Sequence, residues 1–152
     1  MLRLLAAVAA ALVLAACGDD GGAAAPAPVT PLNPAFNGTW TGTTTVSSPG
    51  VTPFSYSSLV VIAVSGQTAT VSAICPDGSG SISAQGSGDS AQWHGTFTCP
   101  PLAFDTCPAV TLTYQNASMT LNSNGTLTAN GSGAANGCGV TLPVTLTFNG
   151  TK

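Results

Sequence analysis

Charge is what this sequence has least of. It contains no glutamate, one arginine (Arg3), one lysine (Lys152), one histidine (His94) and five aspartates, so that charged residues make up 5% of its 152 positions. Nucleic-acid binding needs a clustered basic footprint, and two cations cannot form one. Phosphate chemistry is excluded on similar grounds, because no glycine-rich loop ends in lysine and no cationic clamp is available. Acid–base chemistry is left with His94 and, within the folded region, Asp77, Asp89 and Asp105; no Gly-X-Ser-X-Gly elbow presents a nucleophile. In the alternation of its segment His94 falls opposite Trp93, on the solvent side. Asp77 with Gly78 and Asp89 after Gly88 read as turn residues, since calcium takes six to eight oxygens and no acidic cluster surrounds them. Asp105 is suited to capping its loop. The sequence is therefore read as non-enzymatic, with no metal, no cofactor and no nucleic-acid partner.

Long apolar runs are also scarce. The one continuous run, residues 4–16, falls short of the roughly 20 residues that a membrane-spanning helix needs. Preceded by Arg3 and ending in small residues, it reads as an export signal that is removed. The sequence Leu14, Ala15, Ala16, Cys17 resembles the lipobox of bacterial lipoproteins. That resemblance implies cleavage before Cys17, diacylation of its thiol and a third acyl chain on its amine. It also implies a palmitate-type anchor in the cell envelope, with the membrane as a partner. Gly18, rather than aspartate, follows the cysteine, which by the same resemblance favours the outer membrane over the inner. One acyl chain binds a bilayer marginally, whereas two or more hold it stably.

Three regions follow: a signal peptide at 1–16, an acylated cysteine with its tether at 17–35, and a single domain at 36–152. The tether carries small residues first and then the spaced Pro26, Pro28, Pro31 and Pro34, a composition that cannot bury a core and stiffens toward the domain. Beyond it no stretch repeats its apolar residues at helical spacing, while β-branched residues abound and the apolar period is two. Val140, Leu142, Val144, Leu146 and Phe148 alternate with Thr141, Pro143, Thr145, Thr147 and Asn149, and similar alternation surrounds Trp40 and Trp93. Residues 59–64 are apolar on both faces, which calls for a cover on the outer side.

Turn signals divide the domain into about eight strands, at 36–46, 54–65, 68–75, 79–86, 89–98, 109–122, 125–133 and 139–149. Pro143 within the last strand is expected at a bulge or with its nitrogen turned outward. Short connections make sequence neighbours pair antiparallel. Closure removes the two edges that an open sheet would expose, so the expected fold is an all-β, antiparallel up-and-down barrel, with a two-sheet β-sandwich as the alternative.

Gly38, Thr39, Trp40 on the first strand is similar to the Gly-X-Trp of the calycin barrels, the lipocalins and avidins. The resemblance implies that Trp40 plugs one end of the barrel. Lipocalins pack an arginine on that tryptophan near the end of the chain, and this domain has none.

The remaining cysteines fall at one rim if the strands alternate up and down: Cys75 and Cys99 end upward strands, and Cys107 and Cys138 precede downward ones. An even count in an exported chain favours disulfides. Three pairings are possible. Cys75 with Cys99 and Cys107 with Cys138 is preferred, because it laces the loop 100–106 to a neighbour on each side. Cys99 with Cys107 would instead force Cys75 and Cys138 to meet across the rim.

Two functional classes remain. The first is a non-enzymatic envelope lipoprotein, a structural or interaction module that meets another envelope protein. The alternative is a lipocalin-like carrier of a small apolar ligand inside the barrel, with Trp40, Tyr56, Trp93 and Tyr114 as the candidate ligand-binding residues. Large inward side chains, among them Phe36, Phe54, Ile62, Leu142 and Phe148, are numerous enough to fill an eight-stranded barrel outright, whereas Gly38, Gly42 and Gly95 leave room. The filled barrel is favoured, and a pocket of roughly 300 Å³ or more, open at one end with a few inward polar groups, reverses that order in favour of the carrier.

Overall fold

The computed structural model describes residues 28–104 and 107–152. The signal peptide, Cys17, most of the tether and Asp105 lie outside the described residues.

A 3₁₀ turn at Pro34–Phe36 leads into nine strands: β1 (Gly38–Ser48), β2 (Val51–Ser65), β3 (Thr68–Ser72), β4 (Ser81–Ser87), β5 (Ser90–Thr98), β6 (Leu102–Phe104), β7 (Cys107–Leu121), β8 (Leu127–Gly137) and β9 (Val140–Thr151). Each pairs antiparallel with the next from β1 to β5, β5 pairs with β7, and β7, β8 and β9 continue until β9 meets β1. Eight strands thus close in an up-and-down ring. Among the described residues β6 alone has a single partner, the start of β7. The all-β antiparallel expectation holds, and edge exposure is confined to one three-residue strand.

Local chemistry explains the turns. Gly66 and Gly88 open the two-residue connections β2–β3 and β4–β5 with positive φ at the first turn position, the geometry that matches strand twist and suits glycine. At the β8–β9 hairpin both central residues are left-handed, Cys138 at φ 49° and Gly139 at φ 77°. A cysteine in that conformation is uncommon, and here its side chain is held in a disulfide.

Several boundaries move. The third strand stops at Ser72, not residue 75, because Ala73 turns into the left-handed region at φ 62° and sends the chain across the rim. The second begins at Val51, taking in Pro53, which falls in the register shift between Val46 and Ser48. The strand expected at 125–133 is β8 and reaches Gly137, four residues beyond the expected end. Part of the expected loop 100–106 is a strand, β6, whose three residues are too few to announce themselves beside Pro100 and Pro101. Pro143 pairs across from Ala134 on β8, while the ladder to β1 ends at Thr145, so β9 has no β1 partner at the proline.

Two apolar clusters fill the ring. The lower one gathers Leu32, Phe36, Trp40, Ile62, Leu127 and Phe148 among others; the upper one gathers Cys75, Cys99, Leu112, Tyr114, Val144 and Leu146. Trp40 lies in the lower cluster, 1% exposed, with its indole N–H donating to the Phe36 carbonyl at 2.8 Å. Lys152 sits over the ring with Nζ 4.8 Å from its centroid and donates to the Ala35 carbonyl at 2.6 Å. The chain's single lysine therefore occupies the face of this tryptophan, a cation–π contact.

The domain begins earlier than residue 36. Leu32 is buried at the same end, its N–H donating to the Gly66 carbonyl, while Asn33 N–H donates to Gly88 and Gly88 N–H to Pro31. Leu59 and Val61, on the outer face of β2, stay exposed, so the cover expected for residues 59–64 is not supplied by any described element.

Candidate functional site

All four cysteines stand at the end of the ring opposite Trp40. Cys75 is joined to Cys99 and Cys107 to Cys138, with Cα separations of 5.6 Å and 5.8 Å, and these are the pairings preferred from the sequence. Beneath the second bridge lies a cavity of about 380 Å³. Its walls come from the upper ends of β1, β2, β7, β8 and β9, with Pro76 and Leu102 added from the rim. Inward parity decides which side chains face it: Val46 and Ser48 from β1, Tyr56 from β2, Leu112 from β7, Leu142 and Val144 from β9.

Its mouth is apolar as well. Val51, Phe54 and Val140 line the cavity while remaining 50%, 41% and 54% exposed, and Phe54 stacks on Tyr56 at 5.6 Å. The opening follows from strand lengths: β9 runs on through Val140 past the end of its ladder with β1, so its upper part and the β1–β2 hairpin stand apart.

A belt of hydroxyls crosses the ring below the cavity. Thr44 and Ser58 hydroxyls are 2.7 Å apart, Tyr56 hydrogen-bonds with Tyr114, Thr44 and Ser58, and the Tyr114 hydroxyl donates to the Ile74 carbonyl at 3.3 Å. A second void, of about 110 Å³, lies on the far side and is walled by Ile62, Val71, Trp93, Tyr114, Met119 and Phe148 among others. Tyr56 faces the larger space and Tyr114 the smaller.

Burial pushes the Tyr114 hydroxyl far above its usual range, with the neighbouring Tyr56 adding to the rise. Burial also raises Tyr56, against the opposing effect of its hydrogen bonds to Tyr114, Thr44 and Ser58. The folded state thus disfavours phenolate while the unfolded chain ionises near pH 10.0. Stability is intact below that pH and falls as pH rises above it, by up to about 1.4 kcal/mol per pH unit for Tyr114 and less for the more exposed Tyr56. These are the chain's only two tyrosines, so alkaline titration should show phenolate absorbance and loss of β-sheet circular dichroism rising together. Phenolate forming near pH 10 in a still-folded protein would show a wetter interior than this one.

The four candidate ligand-binding residues are not brought together. Trp40 belongs to the closed end and lines neither space, Trp93 and Tyr114 line the smaller, and Tyr56 alone reaches the larger. Nor do the glycines make the room in the way expected. A Cβ on Gly42 would run into the Asn149 backbone, and one on Gly95 would lie 3.0 Å from the Trp93 indole. On β8 every inward position after Leu127 is small, Ala129, Gly131, Gly133, Ala135 and Gly137; Ala135 and Gly137 line the larger space and Ala129 and Gly131 the smaller, while Gly133 lets the Thr113 backbone come close. That run of small residues at period two was the available signal.

The remaining polar candidates each have a local hydrogen-bond partner. His94 is exposed, with Nδ1 3.0 Å from Asn116 Oδ1. Asp77 accepts from the Ser79 hydroxyl and backbone N–H, which hold its carboxyl below the usual range. Asp89 accepts from the Asn33 amide at 2.7 Å, tying the entering segment to the β4–β5 turn. Among the described residues no group of His, Cys, Asp or Glu could hold a metal ion. Comparison of the chain with protein-family models, with curated proteins and with solved structures finds no match to any of them.

Proposed function

We propose that this chain is a lipid-anchored envelope protein that carries a small apolar molecule in the cavity beneath its crosslinked rim. The carrier takes precedence over the filled structural module because of one observation: an apolar space of about 380 Å³, open at one end between Val51, Phe54 and Val140. That size lies within the range of small-molecule sites, and apolar surface left exposed around a concavity marks a place of contact. A barrel serving only as a spacer would gain stability by filling the volume with a larger residue at a lining position such as Ala135.

The anchor rests on the lipobox resemblance at Cys17, and the acyl chains would make attachment to an envelope membrane stable. Glycine at position 18 favours the outer membrane. The non-enzymatic reading is retained, with no cofactor invoked.

Two masses test the proposal. The full chain expressed in a two-membraned bacterium should carry an acyl mass that Cys17→Ser removes. The Cys17→Ser domain, recovered from the periplasm and sprayed under native conditions, should carry a stoichiometric small molecule that unfolding releases. Ala135→Leu, which places a larger side chain into the cavity wall, should abolish that adduct. A domain that travels empty and takes up no apolar fluorophore overturns the carrier.

A further inference from the structure

We infer that the cavity selects uncharged apolar molecules carrying a hydroxyl or carbonyl, and rejects their carboxylate and ammonium analogues; the inference deepens the carrier reading and rests on it. Among the described residues the polar side chains in the lining are Ser48, Thr52 and Tyr56, all hydroxyls, and none is charged. The chain's lysine is engaged at the opposite end, over Trp40 and on the Ala35 carbonyl. Asp77, next in sequence to the lining Pro76, is itself exposed outside the lining, with one carboxylate oxygen accepting from Ser79. An ionised head group drawn inside would find no opposite charge among the described residues, and burying an unpaired ion is prohibitive. The same medium already disfavours charge on the two tyrosines beside it.

A second observation says what the cavity does accept. The Ser48 Oγ is the one buried side-chain polar atom without a hydrogen-bond partner among the described residues, and Ser48 lines this cavity. Buried polar atoms are almost always satisfied, and an exception in a cavity wall points to a missing partner. The atom is sealed from water-sized contact, so pairing requires a turn about the Ser48 χ1 toward the cavity that the residue lines; there the hydroxyl, able to donate or accept, meets a ligand alcohol or a ligand carbonyl. Tyr56, committed to Tyr114, Thr44 and Ser58, already has partners.

The test uses the Cys17→Ser domain and the neutral fluorophore N-phenyl-1-naphthylamine, displaced at pH 7.5 by 1-dodecanol, dodecanoate or dodecylammonium below their micellar concentrations. Dodecanol is expected to compete at a concentration at least ten-fold lower than either ion. Ser48→Ala is expected to weaken dodecanol several-fold while leaving 1-chlorododecane, which needs no hydrogen bond, unchanged. Dodecanoate or dodecylammonium competing as well as dodecanol overturns the inference and leaves the carrier standing. An unaltered dodecanol preference in Ser48→Ala overturns the assignment of Ser48. If neither fluorophore nor dodecanol enters, the carrier reading falls and the inference with it.

Discussion

Trp40→Ala is expected to cost about 3–5 kcal/mol of folding stability, the range for emptying a large aromatic site from a packed core. Three contacts converge on this indole. It is surrounded by the lower apolar cluster, its N–H is paired with the Phe36 carbonyl, and Lys152 covers one face. Removing it leaves a void at the closed end, unpairs the Phe36 carbonyl and strips the lysine of its partner surface. With total stabilities for domains of this kind running at about 5–15 kcal/mol, the variant should melt some ten or more degrees lower. Trp40→Phe should lose less, because it keeps a ring and forfeits the N–H. Chemical denaturation of the two variants measures both. A Trp40→Ala loss below about 1 kcal/mol would mean that the surrounding side chains collapse into the space, and that this residue is not the plug.

Removal of both disulfides should have a still larger effect. The bridges close segments of 24 and 31 residues, and the chain-entropy estimate for loops of that size is about 3–4 kcal/mol each. Together they rival the whole stability expected of the domain, so the fully reduced protein should be largely unfolded. The two should also differ in order of loss. Cys75 and Cys99 are buried in the upper cluster, whereas Cys138 stands exposed at its hairpin. A mild reductant should therefore open Cys107–Cys138 first, loosening the mouth and weakening ligand uptake before the sheet melts. Cys75→Ala with Cys99→Ala should instead damage folding directly. Timed alkylation with mass mapping decides the sequence of events, and simultaneous opening of both bridges would show that the rim unfolds as one unit.

What could be read from the sequence was whatever a half-buried strand encodes by itself. In β9, Val144, Leu146 and Phe148 are buried and Pro143, Thr145 and Asn149 are exposed, because period-two alternation is the direct imprint of one dry face and one wet face. The rim placement of the cysteines followed from counting strand directions alone. Ala73 was invisible, because an alanine gives no sign that its backbone will turn left-handed. The strand β6 was invisible because three residues carry no period.

The cavity was harder, since an empty volume is a property of eight inner faces summed and not of any one residue. Gly42 and Gly95 misled because each spends its missing side chain on a close approach, to the Asn149 backbone and to the Trp93 ring. On β8 the small inward positions serve two ends: Ala135 lines the space, while Gly133, like Gly42, lets a neighbouring backbone come close.

The segment through Leu32 and the C-terminal Lys152 both meet the domain at its plugged end, away from the Cys107–Cys138 bridge. Tethered through Cys17, the domain would stand like a cup on its base, brim turned from its own bilayer. On that proposal, the route to the brim would run across the aqueous gap, from a soluble donor or a facing membrane, rather than sideways from the lipid holding the anchor.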